Sequence, residues 1–284
     1  MPPDAVGDGA FLSQLLQEAA GKLSSGERLV IAVDALDEVD LAVGHSGANI
    51  LYLPSILPNG VYFVMTKRHM DLPLTVTARR TSYALEQDRE GTVRDVSDHI
   101  RSGIRREGLE QWLGVRGISD DEFVATLVDR SEGNFMYLRY VLPEIRWGVY
   151  DDLEIGVLPK GLQGYYDDHW RRMGMLTHPL QRTRIRIIYI LAEVKQPVSR
   201  RLIAQFATDH SLAVDELTVQ EVLDDWRQFL HVRRRDTVRF SLYHASFRDF
   251  LHRKDVVQAA GVAVKDINAM IADDLWGSLF GDPG

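Results

Sequence analysis

The stretch Arg28-Leu-Val-Ile-Ala-Val-Asp-Ala-Leu-Asp-Glu-Val-Asp40 decides the fold. Leu29 to Val33 is an unbroken run of small and branched apolar residues that stops at Asp34. Such a run, bounded by polar residues, suits a strand buried on both faces of a parallel sheet. In open α/β sheets ligands bind beyond the carboxyl ends of the strands. Asp34, followed closely by Asp37 and Glu38, falls at that edge. A carboxylate there can hold Mg2+, and a neighbouring one can orient or activate water. The same residues also describe a buried strand followed by a solvated acidic loop.

Upstream, residues 10–23 carry apolar side chains at helical spacing, and Ser24-Ser25-Gly26 ends that helix. Downstream, the turn residues of 54–60 precede Val61-Tyr-Phe-Val-Met65, a second buried strand that runs into Thr66-Lys67-Arg68. Residues 74–77, Leu-Thr-Val-Thr, read as a third, short strand. Helix and strand alternate, which implies a parallel sheet with helices on its faces.

From about Asp95 the pattern becomes helical, with segments starting near Asp95, Ser119 and Met136. Ser119 and Glu122 have capping-box spacing. The turn-rich residues 158–162 form a hinge before an aromatic helix, whose Tyr165, Tyr166 and Trp170 read as packing. A further unit begins near Arg184. It has helices over 185–192, from 197 onward with Ser199 as N-cap, and over 218–230. Strands at 231–234 and 238–243 follow, separated by Arg235-Asp236-Thr237. Three helices and a hairpin describe a winged helix. Residues 245–253 form another helix, and 255–279 an amphipathic tail.

Composition excludes several classes. The chain has 284 residues, 45% hydrophobic and 26% charged, as in ordinary globular proteins. No apolar run approaches the ~20 residues of a membrane span, and the N-terminus lacks a signal-peptide pattern. A cytoplasmic, membrane-free protein is the expectation. There are no cysteines, so disulfides, thiol catalysis and Cys-ligated zinc are excluded. The nine histidines form no ligand-spaced cluster. A net charge of −8 argues against general nucleic-acid binding, although Arg233-Arg234-Arg235 at the hairpin tip can be a basic wing or a solvated turn. Gly44-His-Ser-Gly47 does not satisfy a nucleophile-elbow pattern and reads as a loop.

Taken in order, these segments resemble the STAND class of signal-transduction NTPases, and within it the NACHT type, over roughly residues 10–255. Leu29 to Glu38 resembles the Walker B strand, and Val61 to Arg68 the sensor 1 strand ending in Thr-x-Arg. Ser131-Glu-Gly-Asn-Phe-Met-Tyr-Leu138 is similar to the Gly-x-Pro motif that opens a lid helix, with Phe135 where the family usually has proline. Tyr243-His-Ala-Ser-Phe-Arg-Asp-Phe-Leu251 resembles the winged-helix signature whose histidine reads a phosphate.

The resemblance implies ATP or ADP with Mg2+ as cofactors. Asp34 would hold the metal through water, and Asp37 and Glu38 would position the attacking water. Arg68 would meet the γ-phosphate, Gly133 and Phe135 would open the lid helix at the adenine, and His244 would meet the β-phosphate of a closed, ADP-bound form. It further implies a partial P-loop NTPase-like sheet over 1–94, a helical lid over 95–158, a linker helix over 159–183, a winged helix over 184–254 and a tail over 255–284. A downstream sensor or repeat domain and a homo-oligomer belong to the complete form.

One element is missing. The family's Gly-x-x-x-x-Gly-Lys-Ser/Thr cradle has no counterpart here, since Gly21-Lys22 is followed by Leu23 and ends a helix. The chain therefore reads as the C-terminal piece of a nucleotide-dependent switch that needs an N-terminal P-loop segment, arising by truncation, a misplaced start, an incomplete reading frame or a split protein. Its own ATP hydrolysis is expected to be negligible. The competing readings are a non-catalytic winged-helix module for DNA or a protein partner, and an inert relic.

Overall fold

The computed structural model describes residues 9–39, 49–68, 70–77, 79–151, 154–194, 196–209, 212–234 and 237–280. The fold is mixed α/β, mostly helical, with a small two-stranded parallel sheet and one antiparallel hairpin. The chain divides into two compact units, residues 1–84 and 85–284.

In the first unit, helix α1 (Ala10–Ala20) precedes strands β1 (Leu29–Val33) and β2 (Val61–Met65). The strands pair in parallel, from Leu29 opposite Val61 to Val33 opposite Met65. The adjacency expected of the two apolar runs is therefore present, but burial on both faces is not. Val30, Tyr62 and Val64 lie on one face and are 57%, 49% and 57% exposed. Val33, Phe63 and Met65 lie on the other and pack against Leu36, Ile50 and Leu53. A sheet buries both faces only when layers cover both, and the described residues of this unit cover one. Its buried apolar residues among those described are Leu16, Leu36, Ile50, Leu53 and Val61, a thin core for a unit of this length.

Residues 74–77 do not form the expected strand. The Asn49 carboxamide takes the place of a strand neighbour: its Oδ1 accepts from the Thr75 N–H at 2.7 Å, and its Nδ2 donates to the Thr75 carbonyl at 2.8 Å. A side chain satisfies that backbone, so no ladder propagates.

The second unit contains α2 (Arg89–Glu107), α3 (Glu110–Arg116), α4 (Asp120–Ser131), α5 (Phe135–Arg146), α6 (Gly161–Arg172), α7 (Arg182–Glu193), α8 (Arg200–Ala207) and α9 (Glu216–Asp225). The antiparallel strands β3 (Leu230–Arg234) and β4 (Val238–Leu242) follow, then α10 (Ala245–Leu251), α11 (Lys254–Ala260) and α12 (Val264–Phe280). Helix α2 begins earlier than the expected Asp95 because the Asp88 side chain caps it, accepting from the Gly91 N–H at 2.8 Å. Ser119 and Ser199 cap α4 and α8 as their positions suggested. The helix expected over 218–230 stops at Asp225. A 3-10 turn, Arg227–Phe229, then turns Trp226 and Phe229 into the core before β3. The tail is two helices rather than one, because Gly261 at φ +64° terminates α11.

One hydrophobic core runs from Val96 to Ile267, so the helices from α2 to α12 and the β3–β4 hairpin share it. Tyr165, Tyr166 and Trp170 are buried at its centre and act as packing. Among the described residues no helix is long and apolar enough to cross a membrane. The loop 44–47 and residues 235–236 of the hairpin tip lie outside the described residues.

Candidate functional site

The predicted site residues fall into two separate clusters, one in each unit. In the first, β1 delivers Asp34 and β2 delivers Thr66 to the same sheet edge. The Thr66 hydroxyl donates to Asp34 Oδ1 and accepts from the Ala35 N–H at 2.8 Å. Ala35 is left-handed, at φ 53° and ψ 52°, which costs a non-glycine residue about 1–3 kcal/mol. That turn reverses the chain so that the Leu36 N–H reaches the Thr66 carbonyl at 3.0 Å and Leu36 is buried. It also brings Asp37 back to β2. Asp37 accepts from the Arg68 N–H at 3.1 Å and forms an ion pair with its Nε at 3.0 Å.

The resemblance gave Asp34 to the metal, Asp37 and Glu38 to the attacking water and Arg68 to the γ-phosphate. The structure places Asp34, Asp37 and Arg68 together, with Asp37 holding Arg68. Glu38 closes the 3-10 turn Leu36–Glu38. Asp34 is exposed beside a threonine hydroxyl. That donor set fits Mg2+, which takes one or two carboxylates and completes its shell with phosphate and water. Among the described residues no group of three His, Asp or Glu side chains forms a ready cation cage.

The second cluster lies where α2, α5 and the residues flanking the two ends of the hairpin converge. Glu132 and Gly133 are both left-handed, at φ 50° and 77°, and make the tight turn from α4 to α5. Asn134 caps α5, its Oδ1 accepting from the N–H groups of Met136 and Tyr137. Gly133 thus serves the turn, where a Cβ would be strained by φ and would meet Thr92 Cγ2 at 3.0 Å. Phe135 opens α5 and is exposed, with His99 edge-on at 5.4 Å.

Phe135 and Tyr243, more than a hundred residues apart in sequence, line one groove of about 570 Å³, in the size range of small-molecule sites. Trp147, Tyr140, Arg106 and Arg139 also line it. The Arg139 guanidinium lies 4.5 Å from the Tyr243 ring centroid, a cation–π contact. Glu107 offsets part of the positive charge through Arg106, at 3.1 Å. Burial and the charge of Arg106 lower the pKa of His99, which favours the neutral ring.

His244 caps α10. Its Nδ1 accepts from the Ser246 N–H at 3.2 Å and lies 2.6 Å from Ser246 Oγ. It neighbours Tyr243 of the groove and belongs to the second unit, as do Gly133 and Phe135.

The sequence did not reveal the groove's other walls. Met136, Tyr140, Pro143 and Trp147 recur at spacings of four, three and four residues, a helical stripe that could have signalled them. Thr66 was visible only as the first residue of Thr-x-Arg. No family model matches this chain, and neither does any curated protein or solved structure.

Proposed function

We propose that this chain is part of a nucleotide-dependent signalling switch of the STAND/NACHT type, acting through ATP and ADP with Mg2+. The observation that supports it is convergence. Four motifs scattered over more than two hundred residues form two local clusters, Asp34–Thr66–Asp37–Arg68 and the Phe135–Tyr243 groove next to His244. The acidic edge suits a metal-bound phosphate, and the aromatic, arginine-bearing groove suits a base with an anion attached. A switch of this kind requires different affinities for two arrangements of its parts. The order α7, α8, α9 and the β3–β4 hairpin supplies the elements of a winged helix. The exposed sheet face at Val30, Tyr62 and Val64 fits a P-loop NTPase sheet whose remaining layers, including the P-loop, come from a further segment.

In this reading Asp34 would hold Mg2+, and Asp37, paired with Arg68, would orient water while keeping Arg68 in place for a γ-phosphate. His244 would meet the β-phosphate of the ADP form. The metal supplies neutralisation of phosphate charge when bound.

Two measurements test the proposal. Without a phosphate cradle the chain alone should hydrolyse ATP negligibly. Robust turnover that is abolished by Asp37→Asn would overturn this expectation. Joined to a P-loop-bearing segment, the protein should bind ADP, and His244→Ala should weaken that binding about ten- to a hundredfold, the loss of one charge-assisted hydrogen bond. Equal affinities would leave His244 as a helix cap and nothing more.

A winged-helix interaction module is the second reading, and one observation bears on its partner. The outer side of α9, the third helix before the hairpin, exposes Glu216, Glu221, Asp224 and Asp225. That surface repels DNA phosphates and favours a protein partner.

A further inference from the structure

The β3–β4 hairpin has one paired edge and one unpaired edge. Phe240 directs both backbone groups at Val198, donating its N–H at 2.8 Å and accepting at 2.9 Å. Hydrogen-bonded and non-hydrogen-bonded partners alternate along an antiparallel pair. Phe240 therefore turns away from β3, and its partner Val232 turns its own N–H and C=O to the opposite side. Arg234, two residues on, does the same. Among the described residues nothing hydrogen-bonds these outward groups of Val232 and Arg234.

An unpaired edge is a template for a further strand, and its charge decides which strand fits. Arg233 and Arg234 are exposed, and among the described residues neither guanidinium has an acidic partner. Arg239 stands directly across from Arg233, a like-charged pair that costs stability. Its guanidinium reaches instead to the Pro197 carbonyl and to Thr237 Oγ1, both at 3.3 Å. The described hairpin residues, 230–234 and 237–242, include no Asp or Glu. These charges oppose a second copy of the chain, since pairing β3 with β3 would bring two sets of arginines together. They do not favour a duplex either. A phosphate backbone offers only acceptors, and this edge presents carbonyls as well as N–H groups.

We propose that the β3 edge takes up an extended acidic segment of a protein partner as an added strand. Main-chain hydrogen bonds to Val232 and Arg234 set the register, and acidic side chains beside Arg233 and Arg234 give selectivity. Those two arginines point to opposite faces of the hairpin, so two successive acids on the incoming strand meet one arginine each. The proposal rests on the interaction-module reading for its protein partner, and it uses none of the residues assigned to nucleotide.

The test is a titration of the full chain with a blocked synthetic peptide, Glu-Glu-Val-Thr-Val, followed by solvent exchange of backbone amides in NMR. At a peptide concentration about ten times Kd the Val232 and Arg234 amides should exchange about tenfold more slowly, while those of α9 stay unchanged. Methylating one alternate set of peptide nitrogens should weaken binding by about tenfold, the loss of the main-chain bonds to β3, and methylating the other set should not. The double variant Arg233→Glu with Arg234→Glu should lose the acidic peptide by about tenfold and take the charge-swapped peptide Lys-Lys-Val-Thr-Val instead. No binding, unchanged exchange at Val232 and Arg234, equal affinity for both methylated peptides, or tighter binding of a short DNA duplex than of the peptide would overturn the proposal. No nucleotide is added, and a partner held elsewhere on the unit would leave these amides unchanged, so failure here is distinct from failure of either reading above.

Discussion

Glu144→Ala is expected to destabilise the second unit by about 3–5 kcal/mol, the usual result of removing one partner from a buried charged cluster. Glu144 is 3% exposed on α5. It accepts from the hydroxyls of Tyr150 and Tyr165, each at 2.7 Å, and from the Arg172 guanidinium at 2.8 Å. His169 Nδ1 stands at 3.6 Å. Alanine would leave two buried hydroxyls without their acceptor and Arg172 with Asp168 and a long contact to the Tyr150 hydroxyl at 3.4 Å. All five tryptophans lie beyond residue 84, so tryptophan fluorescence in a denaturant titration reports this unit alone. A loss below about 1 kcal/mol would mean that the cluster is solvated or rearranges freely.

The same carboxylate sets an acid limit. Burial pushes its pKa up, but His169, Tyr150, Arg172 and Tyr165 together outweigh burial and hold it at about 2 instead of 4.5. A folded pKa below the unfolded value means stability that is complete above pH 4.5 and lost as pH falls toward 2. The difference is worth about 3 kcal/mol. Glu144→Gln should flatten stability against pH in that interval. An unchanged acid limb in this variant would assign it to other groups.

Local chemistry and the strand pair were legible in the sequence, whereas side-chain pairing through space was not. Leu29–Val33 and Val61–Met65 declare themselves as parallel strands by their apolar runs, and strand order alone puts Asp34 and Arg68 at one edge. Burial of both faces was over-read, because it depends on layers that the runs do not encode. The Asp37–Arg68 pair was hidden because it needs a left-handed Ala35, a conformation no rule assigns to alanine. The first turns of α2 were hidden because residues 89–94, Arg-Glu-Gly-Thr-Val-Arg, have almost no apolar periodicity, and only the Asp88 cap marks them. Glu144 had no signal at all. Its partners Tyr150, Tyr165 and Arg172 come from the loop after α5 and from α6, and a lone acid in an apolar helix usually faces water. Tyr166 was correctly read as packing, yet its hydroxyl is what ties that packing to His244 through Ser246.

Phe229→Ala should be as damaging as loss of Glu144, about 3–5 kcal/mol, for a different physical reason. Phe229 ends the 3-10 turn that replaces the last part of the expected helix, and it is 1% exposed. Its ring lies 4.5 Å from that of Phe247, 5.1 Å from Tyr140 and 5.7 Å from Tyr166, and it also packs on Tyr165, His169 and Trp226. Removing it would open a cavity bordered by rigid rings from α5, α6 and α10, which cannot collapse as aliphatic chains do. The denaturation midpoint should fall with little change in slope, and Phe229→Leu should recover much of the loss. The cavity would also border Tyr140, a wall of the groove, and Tyr166. A loss below about 1 kcal/mol would mean that the neighbouring rings close over the vacated space.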